Sequence, residues 1–217
     1  MGDPFEFRNN VASRTGSSLS ARQQRAHAGA GAWARALRHS ADWAVLDTET
    51  TGLDSNAEII EVAVLDGHGR PLIDTLVRPV MPIPAPATSI HGITNRMVAS
   101  APTFAQIWPD LRELLATRRI IIYNADYDVR LLKQSAQRAG FRLPPLRTEC
   151  AMLQYAAWRG EVGTYGDWKW QRLEQACAQL NVTLAEAAWH RAAGDCMATL
   201  AVISGMAGDS LDVPDAR

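Results

Sequence analysis

The chain has 217 residues, 47% of them apolar, and a formal net charge of −1, which suits one globular domain with a real core and excludes a disordered or fibrous chain. No run of 18 apolar residues occurs, so no membrane span is expected. The near-neutral charge hides an asymmetry: residues 1–40 hold six arginines against Asp3 and Glu6, whereas the remainder holds 16 basic and 21 acidic residues. An acidic body excludes a broad duplex-binding face, which would be basic, and suits a body that gathers carboxylates around cations.

In chain order, "MGDPFEFRNNVASRTGSS" lacks the apolar segment of a secretory signal. Cys150, Cys177 and Cys196 have no metal-like spacing and read as small reduced core residues. A cytoplasmic location is therefore expected. Residues 1–40, rich in Ala, Arg, Ser and Gly, read as a flexible leader ending in a marginal helix. Ala26, Ala30, Trp33 and Leu37 fall at helical spacing, and Gly29 and Gly31 weaken that helix by roughly 1 kcal/mol each. A domain over 41–207 and a tail over 208–217 follow.

"WAVLDTE" reads as a first strand, "EIIEVAVLDGHG" as a second and "RPLIDTLVRP" as a third, the last two joined by a turn short enough for an antiparallel hairpin. "VMPIPAPATSIHGIT", with three prolines, reads as a loop without regular structure. A helix is expected from about Thr103 to Ala116, with Pro109 as a kink or boundary. "RRIIIYNA" is a buried strand suited to a central position, and "DYDVRLLKQSAQRAG" a helix stopped by Gly140. "LRTECAMLQYAAW" is a short strand running into a helix, and "WQRLEQACAQLNV" and "WHRAAGDCMATLAVISGM" are two further helices. The order implies an α/β domain with a mixed sheet flanked by helices.

Asp47 and Glu49 end the first strand in "DTETTG". Residues i and i+2 of a strand share a face, so both carboxylates project together. Two close anions destabilise each other unless one takes a proton or a cation arrives. Oxygen ligands of this kind suit Mg²⁺ or Mn²⁺. Asp126 and Asp128 follow the buried strand at a helix start; one is expected to cap that helix and the other to face the site. In "WHRAAGDCMATL", Asp195 opens an apolar helix, where a carboxylate is costly unless paired or metal-bound. His190, at or before that helix start, can take a proton from water near neutral pH. Four carboxylates and a histidine from three segments form the inventory of a two-metal phosphodiester hydrolase.

These three segments resemble the motifs of the DEDDh, or DnaQ-like, 3′→5′ exonucleases. That family has the ribonuclease-H-like fold and holds the proofreading subunit of the bacterial replicative polymerase and ribonuclease T. The resemblance runs from about Trp43 to Ala207. "DTETTG" is similar to the first motif, "YNADYDVRLL" to the second and "HRAAGD" to the third. It implies that Asp47, Glu49, Asp128 and Asp195 are catalytic metal ligands for two divalent cations. It makes His190 the general base and puts Asp126 at a variable position. Asp47, Glu49 and Asp195 would hold the first ion, and Asp128 would serve the second. Tyr123 stands where a histidine often precedes Asn124. Arg191, where a sister branch has tyrosine, favours the histidine branch. "SIHGIT" resembles a loop near the terminal nucleotide, and Thr50, Leu53 and His91 are the candidates for holding that nucleotide.

The implied activity is release of nucleoside 5′-monophosphates from the 3′ end of single-stranded nucleic acid, DNA favoured, in proofreading or repair. A polymerase or another replication or repair protein would be the partner of a proofreader. The alternatives are an exoribonuclease trimming RNA 3′ ends and a non-catalytic nucleic-acid-binding accessory module of a polymerase. The absence of a G-x-S-x-G elbow argues against a serine hydrolase. Trp158, Tyr165, Trp168 and Trp170 cluster in "WRGEVGTYGDWKW" and could stack on unpaired bases.

Overall fold

The computed structural model describes residues 20–182 and 190–208. The expected leader up to residue 19 and the expected tail from 209 onward lie outside these described residues. A mixed five-stranded sheet forms the centre, with strand order β3-β2-β1-β4-β5. β1 (Trp43–Thr50), β2 (Ile59–Asp66) and β3 (Pro71–Leu76) form an antiparallel meander. β4 (Arg119–Ile122) and β5 (Arg147–Cys150) extend it in parallel from β1. The expected turn closes β2 to β3, with the Asp66 N–H donating to the Arg70 carbonyl at 2.9 Å.

The period-two alternation of β1 sorts its side chains between two layers. Ala44 and Leu46 face a cluster with Leu111, Leu115, Leu131 and Leu132, from helices α4 (Phe104–Thr117) and α5 (Ala125–Arg138). Trp43 and Val45 face the other cluster, with Tyr155, Cys196, Val202 and Leu37. That side is built by α1 (Ala21–Arg38), α6 (Ala151–Arg159), α7 (Leu173–Gln179) and α8 (Ala192–Ala207). Pro109 lies inside α4, which continues past it to Thr117. The parities of β1 thus extend to its end, where Asp47 and Glu49 belong to the α8 side and Thr48 to the α5 side.

Two expectations need correction. Residues 21–38 are not the frayed end of a leader. Ser20 caps α1, its hydroxyl accepting from the Gln23 N–H at 3.2 Å while its own N–H donates to Gln23 Oε1 at 2.8 Å. Ala30, Ala34 and Leu37 are buried. The reason lies in α8, which is apolar around most of its circumference and buries Cys196, Ala198 through Ser204, Met206 and Ala207. A helix apolar on all sides needs cover beyond the sheet, and α1 supplies it against α8 and α6. Gly31 serves that approach, since a Cβ there would lie 3.4 Å from the Met206 carbonyl oxygen.

The proline-rich loop is also more ordered than read, holding α2 (Ala85–His91), with α3 (Asn95–Val98) directly after it. Pro84 is the N-cap of α2 and Pro86 lies in its first turn, where a missing N–H removes no helical bond. Ile83, Ala87, Ile93 and Val98 then close over Ile60 as a third small core.

Candidate active site

Asp47, Glu49 and Asp195 meet at the C-terminal end of β1, each offering an oxygen within 4.8 Å of the other two. Asp47 and Glu49 reach this point through strand parity, and Asp195 comes from the first turn of α8, which packs on β1 and β2. The sheet register slips between Glu49 and Thr50, an irregularity that re-aims the last side chains of the strand.

Asp128 stands apart from that trio. It projects from α5 on the other side of the sheet, is 3% exposed, and accepts from the Thr48 hydroxyl at 2.7 Å. Its charge nevertheless reaches the trio, since it is the first anion after burial to raise Asp47. Neither Asp126 nor Asp128 caps α5, because Asn124 takes the N-cap position with a left-handed φ of 69°; the expected aspartate cap is corrected. Asp126 points to solvent.

Burial is the first cause of every carboxylate shift here, and like charges add to most of them. Asp47 is held well above the usual carboxylate range by burial and by Asp128, Asp195 and Glu49. Glu49 is pushed up to about 8 by burial, Asp195 and Glu61. Asp128 rises to about 7 by burial, with the Thr48 hydroxyl acting against it. Asp195 rises to about 6 by burial, opposed by the charge of His190. One Asp195 oxygen, Oδ1, is buried with no hydrogen-bond partner among the described residues. A buried carboxylate oxygen left unmatched beside two more carboxylates fits a divalent cation, which would supply the missing partner.

His190 precedes α8 with a left-handed φ of 56°. Its ring is half-exposed, and Nε2 lies 3.9 Å from Glu174 Oε1 on α7. The substrate-binding candidates fall in three kinds of place. The Thr50 hydroxyl is engaged inside the protein, donating to the Gly52 carbonyl at 2.9 Å and lying 2.7 Å from the Tyr127 hydroxyl. Leu53 is 79% exposed and leaves its apolar surface free. His91 is buried, with Nδ1 accepting from the Ile93 N–H at 3.0 Å and Nε2 unpartnered among the described residues. Burial holds its pKa below the usual histidine value.

Sequence reasoning missed Glu61. It lies across the strand from Glu49, is 2% exposed, and grips Arg191 through Nε at 3.0 and 3.1 Å and through Nη2 at 2.5 Å. It also accepts from the Ala192 N–H at 2.9 Å, so it anchors the start of α8 between His190 and Asp195. A signal was present: "IIEVAV" puts one carboxylate in an otherwise apolar strand, where burial demands a partner. Glu174 and Tyr127, partners of His190 and Thr50, had no comparable signal.

The family model RNase_T, described as exonuclease, matches residues 44–203. An uncharacterised exonuclease of Escherichia phage 186 is 44% identical over 168 residues, which cover 75% of this chain and 86% of that protein. A DNA polymerase III subunit epsilon-like protein of Rhodobacter capsulatus is 31% identical over 162 residues, spanning 71% of this chain but 22% of its own length. Among solved structures, exonuclease X in complex with 5′ overhanging duplex DNA matches with a TM-score of 0.54 and 26% identity, covering 76% of this chain and 93% of that one. Exonuclease I of E. coli in complex with a dA16 oligonucleotide has a TM-score of 0.62 at 18% identity, covering 76% of this chain and 41% of that one, and shares the fold.

Proposed function

The chain belongs to the RNase_T exonuclease family, and on that basis we propose that it shortens single-stranded nucleic acid from the 3′ end, DNA favoured, releasing nucleoside 5′-monophosphates. Asp47, Glu49 and Asp195 would hold one divalent cation and Asp128 would help hold a second, Mg²⁺ or Mn²⁺. The observation that carries this reading is the trio of convergent carboxylate oxygens within 4.8 Å beside a buried fourth carboxylate. Bound there, such cations polarise the phosphodiester, activate water and stabilise the leaving oxygen.

The protein's own groups have distinct tasks. Thr48 holds the Asp128 carboxylate through a 2.7 Å hydrogen bond. His190, half-exposed and near enough for its charge to act on Asp195, takes the proton from the attacking water at Nε2 or Nδ1. Glu61 fixes the start of α8 through Arg191 and the Ala192 N–H, and so sets the spacing of His190 and Asp195. Leu53, exposed beside the strand end, offers an apolar face to the terminal base. His91 keeps a buried Nε2 available next to the Thr50 segment.

The test is digestion of DNA and RNA strands carrying a label at either end, with Mg²⁺ or Mn²⁺ and with chelator. Labelled mononucleotide released at once from the 3′-labelled strand, and a descending ladder from the 5′-labelled one, is expected. The opposite order would overturn the polarity. RNA degraded faster than DNA would make the exoribonuclease reading the right one. Unchanged strands with either metal would leave a binding module.

A further inference from the structure

After α6 the chain turns at Gly160 and builds a short hairpin. Val162 bridges Trp168 in antiparallel fashion, the Gly163 N–H donates to the Asp167 carbonyl and the Lys169 N–H to the Glu161 carbonyl, both at 2.8 Å. Gly166 turns the tip with a φ of 81°. Its four expected aromatics divide. Trp158 is spent on packing, stacked on His27 at 4.8 Å and on Tyr155 at 5.8 Å. Trp168 lies under the Arg22 guanidinium of α1, 4.2 Å from its ring centre. Tyr165 at the tip is 96% exposed, and Trp170 at the base is 56% exposed. A single exposed aromatic is ordinary. Two on one hydrogen-bonded hairpin, with small glycines on either side of Tyr165, are a presented surface.

The charges around this surface favour one occupant. Arg22 of α1 lies over the Trp168 ring, and Arg25 follows it one helical turn on; with Arg159, Lys169 and Arg172 in the flanking chain, these cations outnumber the acids Glu161, Asp167 and Glu174 of the same stretch. Glu161 is held by Lys169 Nζ at 2.6 Å and Gln171 Nε2 at 3.2 Å. Exposed aromatic rings among arginines and a lysine match a polyanion with unpaired bases. The hairpin is also tied to the candidate site. The Gln171 carbonyl at its base accepts from the Tyr123 hydroxyl at the end of β4, at 2.9 Å. Glu174, three residues on, lies 3.9 Å from His190.

We propose that the hairpin of residues 161–170, with the Arg22 and Arg25 face of α1, is a stacking arm for the unpaired strand upstream of the scissile phosphate. Tyr165 and Trp170 stack on successive bases, and the cations face their phosphates. This rests on the single-strand reading of the site, and it adds that affinity grows with strand length. The test compares steady-state hydrolysis of a DNA dinucleotide and a 12-residue DNA strand by the native protein and by the Tyr165→Ala/Trp170→Ala double variant. The ratio of KM for the 12-mer to KM for the dimer should rise at least about 30-fold in the variant, and Tyr165→Phe should hold that ratio at the native value. An unchanged ratio, or equal losses on both substrates, overturns the arm. Anisotropy of a labelled 12-mer separates this from the catalytic reading. Strand binding that is lost in the double variant upholds the arm even where no nucleotide is released, an outcome that would sink the nuclease. Native and variant proteins binding equally, or neither binding, removes the arm.

Discussion

Glu149 on β5 and Glu49 on β1 are both partly buried glutamates on strands of one sheet, but their surroundings differ in kind. Glu149 is matched on both oxygens. Arg119 donates through Nε and, at 2.6 Å, through Nη2, and the Trp33 indole N–H donates at 2.5 Å. Those hydrogen bonds hold its carboxyl below the usual range. Glu49 has no such set of donors among the described residues. Burial and the charges of Asp195, Glu61 and Asp128 push it up to about 8. The sequence can therefore neutralise a carboxylate where the fold needs it to, and at the end of β1 it gathers four without doing so. Arg191, whose charge acts against the upward shift of Glu49, is held by Glu61. Unrelieved repulsion of this sort is a cost to the fold, and it marks where function acts on the sequence.

The contrast breaks most sharply at Asp128. Asp128→Ala should lower the nuclease rate at least about 10³-fold, the loss of several kcal/mol of charge stabilisation. Its metal-free melting temperature should hold or rise, because a buried charge is removed. Asp126→Ala, at a solvent-facing position two residues earlier, should leave the rate within about 2-fold. Reversed results would mean that the α5 carboxylate has been misassigned. His190→Ala should lower turnover about 10²–10³-fold while Mn²⁺ still raises the melting temperature as in the native protein.

Arg191→Ala sharpens the comparison from the other side. It leaves Glu61 buried with only the Ala192 N–H, and breaking a buried pair this way should cost about 3 kcal/mol and lower activity by loosening the start of α8. Arg191→Lys should recover part of the stability but not the forked grip. Glu149→Ala should cost about 1–2 kcal/mol by denaturant titration with the rate per folded molecule unchanged. A loss of rate at constant stability would remove the distinction between a structural and a functional carboxylate.

Much of this contrast was legible in the sequence. The parity of Asp47 and Glu49, the apolar run around Asp195 and the order of three motifs pointed to carboxylates whose oxygens the fold brings together at one sheet end. What stayed hidden came from the third dimension. Glu61 looked like one polar residue in a strand because its partners are 130 and 131 residues away. The α1 helix looked marginal because its stabilisation comes from covering α8, not from its own propensity. Asp128 read as serving the second ion, but nothing in its segment told that it arrives from the opposite face of the sheet and is tethered by Thr48. Asn95 tied α2 and α3 into order by pairing with the Ile83 backbone at 2.8 and 3.2 Å, a contact no proline count foretells.

The smallest predicted effect tests the repulsion itself. Glu49, Asp128 and Asp195 titrate in the fold at about 8, 7 and 6, all above the value near 4 expected of the unfolded chain. Between these limits the folded protein binds more protons than the unfolded one, so its stability falls as pH rises. The metal-free protein should be most stable toward pH 5, lose a few degrees of melting temperature by pH 8, and level off above that. Groups such as Glu149 work in the opposite direction, but their loss begins only as pH falls below about 4.5. Mn²⁺ at about 100 times its dissociation constant should return roughly 2.7 kcal/mol at pH 8 and much less at pH 5, where protons already occupy the carboxylates. Asp47→Asn should flatten both dependences, since it removes the anion at the centre of the group. A metal-free melting temperature that climbs from pH 5 to pH 8, or a Mn²⁺ effect independent of pH, would show that these carboxylates do not repel in solution as the geometry requires.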